Sequence, residues 1–332
     1  MPAQQGKSRI VGVGAYAPER IVTNFDLAKI VDTSDEWITE RTGIKERRFA
    51  ADGEAASDLA FRASTRALQM ANLAPTDLDM IIVGTVTGDM RLPACAAFLQ
   101  QKLGCGQIPS FDLAAACAGF VYSMSVADQF IRNGTLKRVL VVGVEVLSRI
   151  TNFTDRNTCV LFGDGAGAVV LERNEEPSDV GVLSTSLHTD STLTSSLMTP
   201  AGGSLEPLTH EVLDAQRDKI QMVGQDIFKI AVRNLTSASR AAIEAAGLTP
   251  SNIQWVVPHQ ANRRILAQVS QRLGIPLDRF ILNIERYGNT SSASIPIALD
   301  EGVRDGRVRP GDTVLMCALG AGISWASALI RM

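Results

Sequence analysis

Buried strands alternate with amphipathic helices along this chain. Nearly unbroken apolar runs predict buried strands, and apolar residues at helical spacing predict helices. The predicted strands cover 8–14, 80–86, 138–144, 180–187 and 312–319, and the predicted helices cover 55–71, 93–103, 223–246 and 263–273. A further helix begins near Cys117 and ends at Asn133. This alternation is typical of an α/β protein with helices packed on sheets.

The order of these elements occurs twice. The helix at 63–71 and the segment 73–83 match the helix at 238–246 and the segment 248–257. In each half a helix ending in Leu-Gly follows, then a turn that opens a helix, then an apolar strand. The repeat predicts two mixed sheets around shared central helices, in the layer order α-β-α-β-α. We place the two halves at residues 1–173 and 174–332.

Composition narrows the function without naming it. The chain has 332 residues, 45% of them hydrophobic, which is enough for one large core or two joined ones. A formal net charge of −3 gives no reason to expect nucleic-acid binding. We see no apolar run of membrane-spanning length and no export signal at the N-terminus, so we expect a cytoplasmic protein. The 5 cysteines show no metal-ligand spacing, and we expect no metal.

Cys117 is the candidate nucleophile. It lies where a short strand turns into a helix, among small residues that leave room for a substrate. The free N–H groups of a helix start favour the thiolate over the thiol. The alternative is a small buried hydrophobe with no chemical role. The repeat favours catalysis, because Asn289 falls in the matching turn of the second half and His259 falls at a strand end.

Three other motifs allow two interpretations each. The Gly-x-Gly at 12–14 lacks the helix start and the acidic residue of a dinucleotide site, so we expect none. The segment 162–167 is predicted to be a glycine-dense turn between apolar strands. Its glycines indicate positive φ or close backbone approach, either at a ligand or at a tight interior crossing without one. Trp37 and Arg41, four residues apart, could hold a flat heterocycle and a phosphate, or form a surface cation–π pair.

These residues together resemble a known family. The segments that carry the resemblance are 32–38, 112–120, 162–167, 258–262 and 288–294. In this order and spacing the chain, from residue 10 to 332, is similar to the β-ketoacyl-acyl-carrier-protein synthase III family. The resemblance implies a thiolase-like fold and a condensing enzyme of type II fatty-acid synthesis. It also implies a homodimer.

The resemblance implies a catalytic role for Cys117, His259 and Asn289. Cys117 would take an acyl group from acyl-CoA as a thioester. Malonyl-acyl carrier protein would then lose CO₂, and neutral N–H donors of His259 and Asn289 would stabilise the enolate. Backbone N–H groups of Cys117 and Ala321 would hold the tetrahedral oxyanion. The family often has three glycines at 320–322, so Ala321 must have a backbone conformation that alanine permits.

The remaining site residues are also implied only by the resemblance. The CoA channel would be formed by Thr33, Trp37, Arg41, Arg156, Gly224, Phe228 and Asn262. The acyl pocket would be formed by Leu92, Leu147 and Phe162, and the carrier-protein rim by Lys229, Arg264 and Arg272. Leu92 would reach across the dimer interface. Acyl-CoA is a substrate here, and no resident cofactor is expected.

Several alternatives stay open from the sequence. The same fold and residues would serve a secondary-metabolism condensing enzyme or acyltransferase that uses longer or unusual acyl-CoA. A non-catalytic chain-length partner is disfavoured, because such proteins typically lose the nucleophile. A cysteine hydrolase is disfavoured, because no base is aimed at a water. The primer, the carrier protein and the role of the polar excursion at 193–218 are not given by the sequence.

Overall fold

A computed structural model describes residues 7–175 and 179–332. The strands are β1 (Ser8–Tyr16), β2 (Arg20–Thr23), β3 (Glu46–Phe49), β4 (Met80–Gly84), β5 (Ser110–Leu113), β6 (Arg138–Glu145), β7 (Gly165–Arg173), β8 (Gly181–Thr189), β9 (Leu197–Met198), β10 (Gln221–Met222), β11 (Trp255–Pro258), β12 (Thr313–Gly320) and β13 (Ser324–Arg331). The helices are α1 (Asn24–Leu27), α2 (Asp35–Thr42), α3 (Ala56–Ala71), α4 (Cys95–Leu103), α5 (Gly119–Arg132), α6 (His210–Asp214), α7 (Gly224–Ala245), α8 (Arg263–Leu273), α9 (Ile284–Tyr287) and α10 (Ser294–Arg304).

The two main sheets repeat one topology. The first has the strand order β1-β7-β6-β4-β5 and the second has the order β11-β12-β13-β8. In the first sheet β4 pairs in parallel with both β5 and β6, and the pairs β6-β7 and β7-β1 are antiparallel. In the second sheet β11 and β12 are parallel, and the pairs β12-β13 and β13-β8 are antiparallel. Next to β11, a parallel bridge between Val256 and Phe280 takes the position that β5 has next to β4 in the first sheet. The predicted duplication is therefore confirmed, and the predicted boundary at 173/174 falls between β7 and β8.

Five layers result from this repeat. Helices α5 and α10 lie between the two sheets, where Phe120, Met124 and Leu299 are fully buried in one shared core. Helices α3 and α4 cover the outer face of the first sheet, and α7 and α8 cover that of the second. The expected α-β-α-β-α order is confirmed. It brings the starts of the two central helices together at the middle of the molecule.

Helix α7 is one continuous helix over Gly224–Ala245, which agrees with the predicted helix at 223–246. Its buried residues, among them Ala231, Leu235 and Ile243, pack on the second sheet. No helix in 7–175 or 179–332 combines the length and the apolar character needed to cross a bilayer.

Glycines in β1 and β7 permit close helix packing. A Cβ on Gly12 or Gly14 would collide with carbonyl oxygens of α3, so this Gly-x-Gly serves helix-on-sheet contact. The prediction of a glycine-dense turn at 162–167 is only partly right. Gly165 and Gly167 lie inside β7, and no strand immediately precedes the turn among the described residues. A Cβ on Gly167 would lie 2.7 Å from Cβ of Pro296, so glycine here lets α10 pack against the sheet.

Candidate active site

Cys117 lies in a tight turn between β5 and α5. A 3₁₀ turn over Ala116–Ala118 leads directly into the helix, and Ala116 has the left-handed φ of +45°. Left-handed backbone is costly for a residue with a Cβ, and such residues concentrate at functional sites. Only 7% of Cys117 is exposed. The predicted position at a helix start is confirmed. The expected preference for the thiolate is not found, because burial raises the pKa of the Cys117 thiol to about 12.

The second half has the same turn at the start of α10. A 3₁₀ turn over Ser291–Ala293 precedes the helix, and Ser291 has a φ of +48°. The register therefore pairs Ser291 with Ala116, and Ser292 with Cys117. Asn289 belongs to the matching turn, as predicted, but it precedes the position that matches the cysteine. The two turns pack closely, since a Cβ on Gly119 would lie 3.5 Å from that of Ser292.

The side chain of Asn289 is oriented by its own turn. Its Oδ1 accepts a hydrogen bond of 2.8 Å from the backbone N–H of Ser291. Its backbone N–H donates to the carbonyl of Leu161 at 2.8 Å, and its carbonyl accepts from Gly163 at 3.0 Å. Because the amide oxygen is occupied, the Nδ2 group is the part of the side chain left to donate.

His259 follows β11 and is held from two sides. Its backbone N–H donates to the carbonyl of Cys317 in β12, and its Nδ1 lies 2.7 Å from Oγ of Ser294. That Oγ can also donate to the carbonyl oxygen of Ser291 at 2.8 Å, so its single proton serves one of these two acceptors at a time. When the hydroxyl proton is given to Nδ1, a neutral imidazole carries its proton on Nε2 and can donate from there. Burial lowers the pKa of His259 to about 3, so the ring is neutral near pH 7.

The buried imidazole should make stability fall in acid. Between pH 6.5 and pH 3 the unfolded chain binds a proton at His259 that the folded chain does not, so the free energy of unfolding decreases as the pH falls through this range. The loss at pH 5 should be about 2 kcal/mol. We expect His259→Asn to reduce this acid loss in urea unfolding measured from pH 7 to pH 4. The control His210→Asn changes an exposed histidine and should keep the wild-type slope; equal slopes for His259→Asn and wild type would contradict the assignment.

The loop after β12 lies against the Cys117 turn. A Cβ on Gly320 would lie 2.5 Å from the backbone nitrogen of Cys117, so only glycine permits this approach. The left-handed φ of the loop, +129°, belongs to Gly322 and not to Ala321. Ala321 is therefore not in the left-handed region. Alanine in place of a glycine at position 321 causes no backbone strain there.

An apolar cavity of about 170 Å³ opens at Cys117. Its walls come from the Cys117 turn, the matching turn, the loop after β12 and the segment between β8 and α7. The lining residues are Val86, Ala116, Cys117, Leu147, Ile150, Phe162, Leu197, Met198, Thr199, Ile220, Ser291 and Ala321. Leu147 and Phe162, which were predicted for the acyl pocket, are among these lining residues. Leu92 is 84% exposed and is not on this wall, so its place in the acyl pocket stays a prediction that requires a second copy of the chain.

A second cavity, of about 710 Å³, opens to the surface beside α2 and α7. It gathers most of the residues predicted for the CoA channel and the carrier-protein rim: Trp37, Arg41, Gly224, Phe228, Asn262, Lys229 and Arg264. Arg272 is not on its wall. Guanidinium carbons of Arg41 and Arg156 lie 4.7 and 4.6 Å from the centroid of the Trp37 ring. Thr33, just before α2, has a buried Oγ1 with no hydrogen-bond partner among the described residues.

A larger groove, of about 990 Å³, lies elsewhere, at Tyr16, Arg62 and Arg66. Arg62 stacks over the Tyr16 ring at 4.6 Å, and Tyr16 donates to Glu54. Cys117 is absent from the walls described for this groove, whereas His259 and Asn289 are on the described walls of neither this groove nor the cavity at Cys117. We therefore place the active site at the smaller cavity that contains Cys117.

Glu145 is a residue near the site that the sequence reasoning missed. It ends β6, is fully buried, and accepts from Ser291 Oγ at 3.1 Å, Ser292 Oγ at 3.3 Å and the N–H of Val86 at 3.2 Å. It also accepts from the Thr87 hydroxyl. Burial raises the pKa of Glu145 to about 7. An acid at the end of a wholly apolar run was the signal available in the sequence.

The fold and this site together define a thiolase-fold acyltransferase of the condensing-enzyme class. A family model described as 3-oxoacyl-[acyl-carrier-protein (ACP)] synthase III matches residues 111–191, and the model of its C terminal matches residues 243–332. The β-ketoacyl-[acyl-carrier-protein] synthase III of Caldanaerobacter subterraneus is 51% identical over 322 residues, which are 97% of each chain. The chain belongs to the β-ketoacyl-acyl-carrier-protein synthase III family.

Solved structures agree with this assignment. The 3-oxoacyl-[acyl-carrier-protein] synthase III of Aquifex aeolicus superposes with a TM-score of 0.90 at 45% identity, covering 98% of this chain and 100% of the other. A priming β-ketosynthase from a polyketide biosynthetic pathway superposes with a TM-score of 0.89 at 36% identity, covering 99% and 97%. Both matches span essentially the whole chain, so both halves of the duplication share the family fold.

Proposed function

We propose that this chain catalyses the condensation that starts type II fatty-acid synthesis. An acyl group passes from acyl-CoA to Cys117, and the acyl-enzyme then condenses with malonyl-acyl carrier protein. The products are 3-oxoacyl-acyl carrier protein, CO₂ and CoA. The observation that best supports this is the position of Cys117, at a helix start and at the mouth of an apolar cavity.

Acylation relies on groups around the Cys117 turn. The thiolate attacks the thioester carbonyl carbon, and the carbonyl oxygen becomes an oxyanion. The backbone N–H groups of Cys117 and Ala321 are its proposed donors, which the close approach of Gly320 to the Cys117 nitrogen supports. The acyl chain is accommodated by the apolar wall that Leu147 and Phe162 share.

Condensation relies on the two polar side chains of the second half. Loss of CO₂ from the malonyl group creates negative charge on the thioester oxygen. Nδ2 of Asn289 and Nε2–H of His259 are the proposed donors to this oxygen. The bond from Ser291 to Oδ1 and the low pKa of His259 support a neutral, donating pair. The resulting carbanion attacks the acyl carbon on Cys117.

The surface cavity beside α2 is the proposed path of CoA and the carrier protein. Trp37 and the guanidinium groups stacked on it offer a platform for adenine, and Arg41 offers a charge for phosphate. Lys229 and Arg264 on the same wall offer positive charge to an acidic carrier protein. Thr33, Arg156 and Arg272 are proposed partners at the rim.

Removal of the Trp37 ring should weaken acyl-CoA binding specifically. We expect Trp37→Ala to raise KM for acyl-CoA about 10- to 100-fold, because stacking on an aromatic ring contributes about 1–3 kcal/mol per base. The measurement is steady-state condensation with varied acyl-CoA. An acyl thioester of N-acetylcysteamine, which has no nucleotide, serves as the matched substrate. Equal losses with both substrates would contradict a role in nucleotide binding.

Three further properties belong to this proposal. The reaction requires no resident cofactor, because acyl-CoA is consumed as a substrate. We propose a homodimer, since Leu92 and Met90 are exposed apolar residues that a second copy would cover. We propose a cytoplasmic location, where substrates of this kind are made and where free cysteines stay reduced.

Mass spectrometry after acylation tests the proposal. The chain is incubated with a mixture of acetyl-, branched and longer acyl-CoA, and the mass added at Cys117 is read after proteolysis. The acylated protein is then given malonyl-acyl carrier protein, and 3-oxoacyl-acyl carrier protein and CO₂ are measured. Acylation of Cys117 followed by loss of the label on condensation is expected. An unlabelled Cys117 under all conditions would overturn the proposal.

A second candidate is the priming condensation of a secondary-metabolism pathway. It is favoured by one observation, the full-length match to a priming β-ketosynthase of polyketide biosynthesis. Acetyl-CoA that fails to label Cys117, while longer or branched acyl-CoA succeeds, would favour this candidate over the acetyl-primed reaction.

A further inference from the structure

Acylation of Cys117 raises the question of where the thiol proton goes. Burial raises the pKa of this thiol to about 12, so little thiolate is present without an acceptor. His259 is a weak acceptor, because burial lowers its pKa to about 3 and its Nδ1 already faces Ser294. The acceptor must therefore be sought among the other buried groups beside the Cys117 turn.

Glu145 is such a group, and it is connected to Cys117 through Ser291. The Ser291 hydroxyl lies 3.1 Å from Oε1 of Glu145. Ser291 and Cys117 line the same cavity, and hydrogen bonding from Ser291 acts to lower the pKa of the thiol. One hydroxyl therefore stands between the nucleophile and a buried carboxyl group.

The hydrogen-bond partners found for Glu145 are all neutral groups. Its hydrogen-bond partners are the hydroxyls of Thr85, Thr87, Ser291 and Ser292 and the backbone N–H of Val86. No cation is paired with it in the part of the chain that the structure describes. An unpaired buried carboxylate is costly for folding, which favours a functional reason for its presence.

We propose that the Ser291 hydroxyl relays the proton of the Cys117 thiol to Glu145 during acylation. This proposal rests on the proposed function, since it concerns the first step of that reaction. Ser291 is then a catalytic residue, because in this relay its hydroxyl exchanges a proton with the reacting sulfur. Glu145 acts through Ser291, as the group that holds the proton until CoA leaves.

The step is balanced within the site. The S–H bond of Cys117 breaks as its proton moves to Ser291 Oγ, and the Ser291 hydroxyl proton moves to Glu145. The sulfur forms a bond to the acyl carbon, and the bond from that carbon to the sulfur of CoA breaks. The proton returns through Ser291 to the departing thiolate. Acyl-CoA and the cysteine thiol thus give the acyl-enzyme and the CoA thiol, with no other reactant.

Both states of the relay use the same hydrogen bonds. Before transfer, Ser291 donates to Glu145 and can accept from the thiol. After transfer, Glu145 can donate to Ser291, and Ser291 donates to the thiolate. A Glu145 that stayed ionised would oppose thiolate formation, because its charge raises the pKa of the Cys117 thiol. A Glu145 that takes the proton removes this repulsion.

The test separates acylation from condensation. Acyl-enzyme formation is followed by rapid quench and intact-protein mass spectrometry between pH 5.5 and pH 10 in wild type, Glu145→Gln and Ser291→Ala. General-base catalysis typically contributes about 10²- to 10⁴-fold, so we expect acylation of both variants to fall at least about 100-fold near pH 7. The loss should shrink as the pH rises and the thiol ionises by itself. Condensation of acyl-enzyme prepared at high pH should change much less.

Two variants make the outcome decisive. Ser291→Ala should fold, because alanine occupies the matching position, Ala116, at nearly the same φ. Asp164→Asn is the control for a buried carboxyl group, since Asp164 binds Ser148 and the Ala50 N–H and does not contact the cysteine. It should keep the wild-type pH profile of acylation.

The possible results lead to different conclusions. A uniform loss at every pH, or no loss, in folded Glu145→Gln and Ser291→Ala would overturn the relay. A faster acylation of Glu145→Gln would also overturn it, since it would show that the charge only hinders the thiolate. If wild type itself is not acylated at any pH, the proposed function fails, and the relay fails with it.

Discussion

The Cys117→Ala variant is expected to form no acyl-enzyme and to lose condensation by at least about 10³-fold. Alanine lacks the atom that forms the thioester, and no other described cysteine is as well placed. The substitution should leave the fold intact, because Cys117 is flanked by alanines and lies in a turn whose left-handed φ belongs to Ala116. The measurements are intact-protein mass after incubation with acyl-CoA, condensation rate and thermal unfolding.

Cys95→Ala is the matched control for this experiment. Cys95 is also a fully buried cysteine among small residues at a helix start. It differs in its surroundings, because Asp112 occupies that helix start by accepting from the N–H groups of Cys95 and Ala96. Burial raises its pKa above the usual range, and the nearby Asp89 and Asp112 charges add to this effect. Acylation should survive Cys95→Ala, and retained condensation in Cys117→Ala would exclude the thioester mechanism.

This comparison shows why the sequence alone left Cys117 open. Both cysteines begin helices among alanines, so their local sequences do not separate a nucleophile from a buried hydrophobe. The structural difference comes from distant segments. At Cys117 the loop with Gly320 reaches the backbone nitrogen, and at Cys95 a carboxylate fills the helix start. In the sequence, only the duplication related the Cys117 turn to segments that are distant along the chain.

The duplication predicted the layers and the pairing of the two central turns. Each half has the same order of strands and helices, so each half is expected to form one sheet with its own turn before a central helix. It did not predict the register within the turns. The position that matches Cys117 is Ser292, which donates to the carbonyl of Gly84 at 2.6 Å and so ties the second turn to β4. Such a contact depends on how two halves meet, which no local periodicity records.

The sequence did not show which structural role each glycine has. The glycines of 162–167 predict either positive φ or close backbone approach, and the second is found, since Gly165 and Gly167 permit α10 to approach an extended strand. A glycine required for φ and a glycine required for space look alike in a sequence. Glu145 was missed for a related reason, since its significance depends on Ser291, which lies 146 residues away along the chain.

Asn289→Asp is expected to separate the two halves of the reaction. The aspartate keeps an oxygen that can accept from the Ser291 N–H, so the turn should keep its shape. It replaces the Nδ2 donor by an oxygen that carries negative charge. Removal of one donor to a developing oxyanion costs about 10²- to 10³-fold, and the added repulsion should increase the loss to about 10³-fold or more. Acylation of Cys117, which does not use this donor, should fall less than about 10-fold.

Two measurements on the same sample test this expectation. The first is the rate of acyl-enzyme formation from acyl-CoA, and the second is CO₂ release when malonyl-acyl carrier protein is added to the acyl-enzyme. Asn289→Ala serves as the comparison, because it removes the donor without adding charge and also removes the bond to Ser291. If Asn289→Asp and wild type release CO₂ at similar rates, the donor role of Asn289 is wrong. If acylation and CO₂ release fall together, Asn289 supports the turn that positions Cys117 rather than the enolate.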